Sequence, residues 1–216
     1  MRIGFGIVRR LVDSEMPVDC PTLAVLAGGS GSRIGGPKSG LVLRGMPVLE
    51  WLSRRIAWPG RTLLVTAPSN RSPVGRESWN SEVVDPVDGA GPLQGIITAL
   101  GAVKSAVIVI PVDMPLLRRE QLAELGEALF SGGARGLLCR RERQGRELIE
   151  PFPCALSASV LAELEARLKR GSRSLRSLVD AGICDCFDAN HWPAECWENL
   201  NSPQDLARFE ASGPAI

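Results

Sequence analysis

Short apolar runs rich in Val, Ile and Leu recur along the chain, separated by amphipathic stretches. Thr22–Ala27, Thr62–Thr66, Glu82–Asp85, Ser105–Ile110 and Gly136–Cys139 read as short buried strands. Helical spacing falls between them, over Pro47–Ala57, Gly91–Val103, Arg119–Phe130 and Ser157–Lys169. Leu122, Leu125 and Leu129 share one face of the third helix, and Leu161, Leu164 and Leu168 one face of the fourth. Pro203–Glu210 closes the chain as a helix, with Ser202 as cap and Pro203 at its first position. Alternating strands and helices predict a three-layer, Rossmann-like α/β fold, with helices on both faces of a mainly parallel sheet. Ligands of such folds bind beyond the carboxyl ends of strands. The loops after Ala27, Asp85 and Ile110 are therefore where a site is expected. Pro68–Arg76 and Gly89–Pro92 read as polar loops.

A chain of 216 residues is long enough for one domain without a staple. Lys+Arg 25 against Asp+Glu 24 leaves a net charge of +1, which argues against a nucleic-acid binder. Aromatics make up only 5%, with no Tyr, so base-stacking platforms are poorly supplied. The longest apolar stretch, around Ala106–Ile110, is far short of the ~18 residues a membrane span needs. The first 20 residues place Arg9-Arg10 after a short apolar segment, and Asp13 and Glu15 follow; a secretory signal would have the charge first and a longer apolar core. A cytoplasmic protein is expected, with an N-terminal extension over 1–20 and a single domain over 21–216. Six Cys are too few for a disulfide scaffold.

Leu26-Ala27-Gly28-Gly29-Ser30-Gly31-Ser32-Arg33-Ile34-Gly35-Gly36-Pro37-Lys38 follows the first strand, and carries five glycines within nine residues. Glycine lets the backbone approach a phosphate and aim N–H groups at it. Arg33 and Lys38 add full positive charge. Two familiar phosphate loops are excluded. The dinucleotide fingerprint needs glycine where Ile34 stands, and Pro37 separates Gly36 from Lys38 where a P-loop joins them. Asp113 lies just past the run Ala106–Ile110, at the carboxyl end of a strand. Magnesium prefers oxygen ligands and often takes one or two carboxylates plus substrate phosphates. Asp113 is thus a candidate metal ligand, or else a turn or capping residue before Pro115.

The glycine segment resembles the opening signature of the molybdenum-cofactor guanylyltransferases of the MobA type. Leu26, Ala27, Gly28, Gly29, Arg33, Gly35 and Lys38 match, with Ile34 for Met. Gly91-Pro92-Leu93-Gln94-Gly95 is similar to the family's second motif, Pro111–Leu116 to its strand-terminal V-D-M-P, and Asn199–Leu206 to its closing N-x-N-T-P-x-D-L. Four motifs occur in order over about 180 residues. The resemblance implies a nucleotidyltransferase fold and transfer of GMP from GTP to molybdenum-molybdopterin, with pyrophosphate released. It implies Mg2+ on Asp113, with Arg33 and Lys38 beside it as catalytic cations. Nucleotide would be held by Leu26, Ala27, Gly28, Gly29, Ser30, Gly31, Asp85, Gly91, Pro92, Leu93 and Gly95, and the acceptor by Asn199, Asn201 and Arg173. Asp85 would meet the guanine edge, with Asp88 as competitor. Leu-Ala-Gly-Gly and the second motif both lean toward guanine over cytosine. Molybdoenzyme apoproteins and cofactor-insertion proteins follow as partners, with neither nucleic acid nor membrane.

The chain departs from the family pattern at Pro37, where Asp is common, at Glu150-Pro151, where His-Pro is common, and at Thr66-Ala67-Pro68, where an Asn-containing segment is usual. Cys184, Cys186, His191 and Cys196 lie within 13 residues and could ligate a metal, although the spacing suits buried thiols better. The rival functions are a related cytidylyltransferase, a transferase with another phosphate acceptor, and a nucleotide-binding module without catalysis.

Overall fold

The structure, a computed structural model, describes residues 20–29 and 36–213. Nine strands and six α-helices are described: β1 (Thr22–Leu26), β2 (Val42–Leu43), β3 (Met46–Pro47), α1 (Val48–Ile56), β4 (Thr62–Thr66), β5 (Ser81–Val84), α2 (Pro92–Val103), β6 (Val107–Pro111), α3 (Arg119–Ser131), β7 (Gly136–Arg143), β8 (Arg146–Leu156), α4 (Leu161–Lys169), α5 (Ser177–Asp180), β9 (Asp185–Asp188) and α6 (Pro203–Ser212). Seven strands form one sheet in the order β5-β4-β1-β6-β8-β7-β9, and β2 and β3 form a small separate ladder. β5, β4, β1 and β6 run parallel; β8 is antiparallel to both its neighbours, and β9 is parallel to β7.

The period of two along each central strand divides the core. Leu23 and Val25 of β1, with Ile108 and Ile110 of β6, join the cluster under α1 and α3. Ala24, Val107 and Val109 face the other way, into the cluster with Ile96 and Leu100 of α2 and Leu164 of α4. Both sheet faces are covered, which is why these strands read as continuous apolar runs. The expected mainly parallel three-layer fold is the fold observed.

Two sheet strands go beyond the expected set. β8 carries Pro151 and Pro153, which mask a strand pattern. Its ladder with β7 jumps from Leu138↔Cys154 to Cys139↔Glu150, so Pro151, Phe152 and Pro153 sit in a bulge where no ladder N–H is required. β9 is only four residues long, with Asp at both ends. The expected helix Ser157–Lys169 begins as a 3-10 turn over Ala158–Val160, capped by Ser157. No helix of the described residues is long and apolar enough to cross a membrane.

Candidate functional site

A cleft of about 440 Å³ opens at the carboxyl ends of β1, β4, β5 and β6. The chain leaves β1 toward β4 and β5 on one side and reaches β6 on the other, so the cleft occupies the switch point of the sheet. Gly28 and Gly29 follow β1 into it, and Asp113 follows β6. A Cβ on Gly28 would stand 3.4 Å from both Cβ and N of Ala67, so this glycine lets the turn lie against the loop after β4. Gly95 has a second role in shaping the cleft. Its Cβ would stand 2.9 Å from Cδ2 of Leu26, so glycine lets the first turn of α2 lie against the Leu26 side chain without displacing it. Gly91 enters α2 at φ +86°, and Pro92 takes the first helical position.

Three of the four motifs meet at one point. The Lys38 ammonium is ion-paired with Asp113 Oδ2 and donates to Asn201 Oδ1 at 2.6 Å. Asp113 is buried, and its Oδ1 has no hydrogen-bond partner among the described residues. The closing motif is fastened to the same place, since Leu200 N donates to the Asp113 carbonyl at 2.9 Å. Ser202 and Asp205 cap α6 reciprocally: Asp205 N donates to Ser202 Oγ, and Ser202 Oγ to Asp205 Oδ2. Asp205 Oδ2 also accepts from Asn201 N at 3.0 Å, which fixes the backbone that presents Asn201. Asn199 is turned elsewhere, its amide donating to Trp197 O.

An orphaned carboxylate oxygen beside a second carboxylate oxygen and an amide oxygen is a hard donor set suited to Mg2+ or Mn2+. No group of three or more His, Cys, Asp or Glu among the described residues could hold a metal. A cation at Asp113 would complete its shell from phosphates and water, as magnesium commonly does.

At the other end of the cleft, Asp85 follows β5. Its N–H donates to Thr66 O, and its Oδ1 accepts from Thr98 Oγ1 at 2.6 Å. Burial pushes the Asp85 pKa up, against a smaller lowering by Thr98. Asp88 is exposed and engaged by Ser69, whose N–H and hydroxyl both donate to it and hold its pKa down. Arg173 donates to the carbonyl of Ala90 at 3.0 Å, in the loop that leads into α2. Leu93 points into the core and Ala27 is buried, while Leu26, Gly91, Pro92 and Gly95 line the cleft. Ser30, Gly31 and Arg33 lie outside the described residues.

The cleft wall also includes Asn70 and Phe152, which sequence reasoning missed. Asn70 Nδ2 donates to Ala27 O at 3.1 Å and to Ser39 Oγ at 2.6 Å, joining the start of the glycine segment to the turn after Lys38. Ser39 is fully buried. Asn70→Ala is expected to destabilise the fold by about 1–3 kcal/mol, because the buried Ser39 hydroxyl and the Ala27 carbonyl both lose their donor; urea unfolding measures it.

The cysteine constellation does not assemble. Cys184 belongs to the cluster on one face of the sheet and Cys196 to the cluster on the other. His191 is exposed and bonded to Glu124 at 2.8 Å. Burial pushes the Cys184 and Cys196 thiols up to about 12, so both stay protonated.

The MobA-like NTP transferase domain matches residues 23–185. The chain belongs to that family. A molybdenum cofactor guanylyltransferase from Vibrio cholerae is 32% identical over 193 residues, 88% of this chain and 91% of that one. The crystal structure of molybdopterin-guanine dinucleotide biosynthesis protein A from Archaeoglobus fulgidus superposes with a TM-score of 0.73 at 25% identity, over 88% of this chain and 97% of that one. A Mycobacterium tuberculosis protein crystallised in complex with manganese shares the fold at a TM-score of 0.62 and 18% identity, over 90% of this chain and 100% of that one.

Proposed function

We propose that this nucleotidyltransferase moves GMP from GTP to the phosphate of molybdenum-molybdopterin, releasing pyrophosphate and forming the guanine dinucleotide cofactor. The observation that carries the reading is the meeting of Lys38, Asp113 and Asn201, from three separate motifs, at the mouth of a nucleotide-sized cleft. An oxygen of the acceptor phosphate attacks the α-phosphorus of GTP; the bond from that phosphorus to the bridging oxygen breaks and pyrophosphate leaves. The acceptor phosphate is already ionised at neutral pH, so no general base is needed. His191, held by Glu124, therefore has no part in the chemistry.

Asp113 and Asn201 would hold Mg2+, which when bound neutralises phosphate charge and favours departure of pyrophosphate. Lys38 supplies positive charge to the phosphate oxygens. The backbone N–H groups of Gly28, Gly29, Ser30 and Gly31, with Arg33, take the triphosphate. Gly91 and Pro92 present the N-terminus of α2 to the nucleotide. Arg173, which donates to the Ala90 carbonyl, is assigned to the acceptor on the family resemblance alone. The reaction belongs in the cytoplasm, where finished cofactor passes to insertion proteins and molybdoenzyme apoproteins. Acceptor turnover with GTP labelled at the α-phosphorus tests the reaction: label must appear in the dinucleotide, and label left in free GMP would mean hydrolysis instead.

Asp85 is the base-reading group in this account. Its carboxylate can accept from N1–H and N2–H₂ of guanine. Burial raises its folded pKa above the unfolded value. The stability linked to its proton is therefore full at acid pH and lost as pH rises through the raised pKa. Asp85→Asn keeps the Thr98 bond and removes the buried charge, so it should raise the Tm at neutral pH while weakening GTP binding by roughly tenfold or more, the loss of charged hydrogen bonds. In the wild type, GTP affinity should fall on acidification at a higher pH than an ordinary Asp would give. Calorimetry across pH with and without GTP reads both effects; a lower Tm for Asp85→Asn, or unchanged GTP affinity, would count against this role.

A further inference from the structure

The Lys38 ammonium stands where a cation would stand. It is paired with Asp113 Oδ2 and bonded to Asn201 Oδ1, and these are two of the oxygens from which a divalent ion would be hung. One oxygen of the set is left over: Asp113 Oδ1 is buried without a partner among the described residues. A compact ammonium with three donors satisfies the other two oxygens in the protein by itself. Two positive charges cannot both occupy this seat. A divalent ion and an ammonium held a few ångströms apart on one carboxylate repel one another about twice as strongly as two unit charges would. Lys38 must therefore leave Asp113 before a cation can settle there.

We propose that Lys38 is a resident counterion that keeps the free protein from binding divalent metal, and that the nucleotide triphosphate releases it. The polyphosphate offers the ammonium a stronger anionic partner, so Lys38 moves to the phosphates as the metal takes its place on Asp113. Metal and nucleotide then enter as one unit, and each raises the other's affinity by the same factor. Lys38 is held for this exchange on a short 3-10 turn, Lys38–Gly40, whose Ser39 is anchored to Asn70. Only its side chain has to move. The inference rests on the metal-site reading above and concerns which group fills the site before substrate arrives.

The test is Mn2+ binding to the protein alone, followed by electron paramagnetic resonance, with no turnover involved. Wild type without nucleotide should bind Mn2+ weakly. Lys38→Met, which keeps the stem and removes the charge, should bind Mn2+ at least tenfold more tightly. Lys38→Arg, which restores a positive charge, should return binding to the weak level. Asp113→Asn added to Lys38→Met should abolish the gain, which places the ion on that carboxylate. With a non-hydrolysable GTP analogue, wild type should gain Mn2+ affinity by a larger factor than Lys38→Met. Equal Mn2+ affinity of folded wild type and Lys38→Met would overturn the proposal, as would tight binding by Lys38→Arg. Guanylyl transfer measured on the same wild-type sample separates the two readings: failure of the exchange with transfer intact removes only the counterion role, and failure of transfer leaves the Mn2+ result standing.

Discussion

Asp113→Asn should leave the fold intact and lower kcat by roughly a thousandfold or more. A preorganised charge aimed at the transition state is worth about 10²–10³ in rate per donor, and Asp113 commands more than one. The amide keeps the shape and the buried position but cannot hold a divalent ion against pyrophosphate. It also removes the charge that Lys38 pairs with. The backbone role of Asp113 survives, since its carbonyl still accepts from Leu200 N. Thermal unfolding should therefore resemble wild type, and the loss should persist at saturating Mg2+ and GTP. A rate within tenfold of wild type at saturating Mg2+ would remove Asp113 from the metal site.

Lys38→Ala should lower kcat and kcat/KM together, by about a hundredfold. A lysine that merely gripped ground-state GTP would raise KM and leave kcat alone. In the free protein the Lys38 ammonium lies on Asp113 and Asn201, and with nucleotide bound it would act on the phosphates. Its stabilisation grows as the bridging oxygen gains charge, so the effect belongs in kcat. Steady-state kinetics with both substrates varied separates the cases, and an effect confined to the KM for GTP would contradict a catalytic role.

The central strands were legible because burial on both faces leaves no polar alternation. β4 has the expected bounds Thr62–Thr66, and β6 carries Asp113 just past its end. Of the glycine segment, Gly28 and Gly29 enter the cleft and residues 30–35 lie outside the described residues; Gly95 came from its motif, and the structure adds the close approach of Leu26 to it. Asn70 was missed for a specific reason. The loop after β4 ends at the same sheet edge as those after β1, β5 and β6, and the rule about carboxyl ends covered it equally. β8 was missed because two prolines sit in a bulge, where a strand tolerates them. Asn199 and Asn201 were indistinguishable in sequence. Only the cap made by Ser202 and Asp205 aims Asn201 at Lys38, while Asn199 folds back on Trp197. The grouped cysteines were close in sequence but fall on opposite sheet faces.

The most direct test of the central claim is pyrophosphate release with GTP, CTP, ATP and UTP in turn, in the presence of Mg2+ and molybdenum-loaded molybdopterin. Release with GTP, dependent on the acceptor, is expected, with roughly a hundredfold or greater preference over CTP. Release driven by CTP would keep the transferase chemistry and overturn the assignment of Asp85 and the second glycine motif to guanine. No release with any nucleotide, from folded protein and verified acceptor, would contradict guanylyl transfer itself.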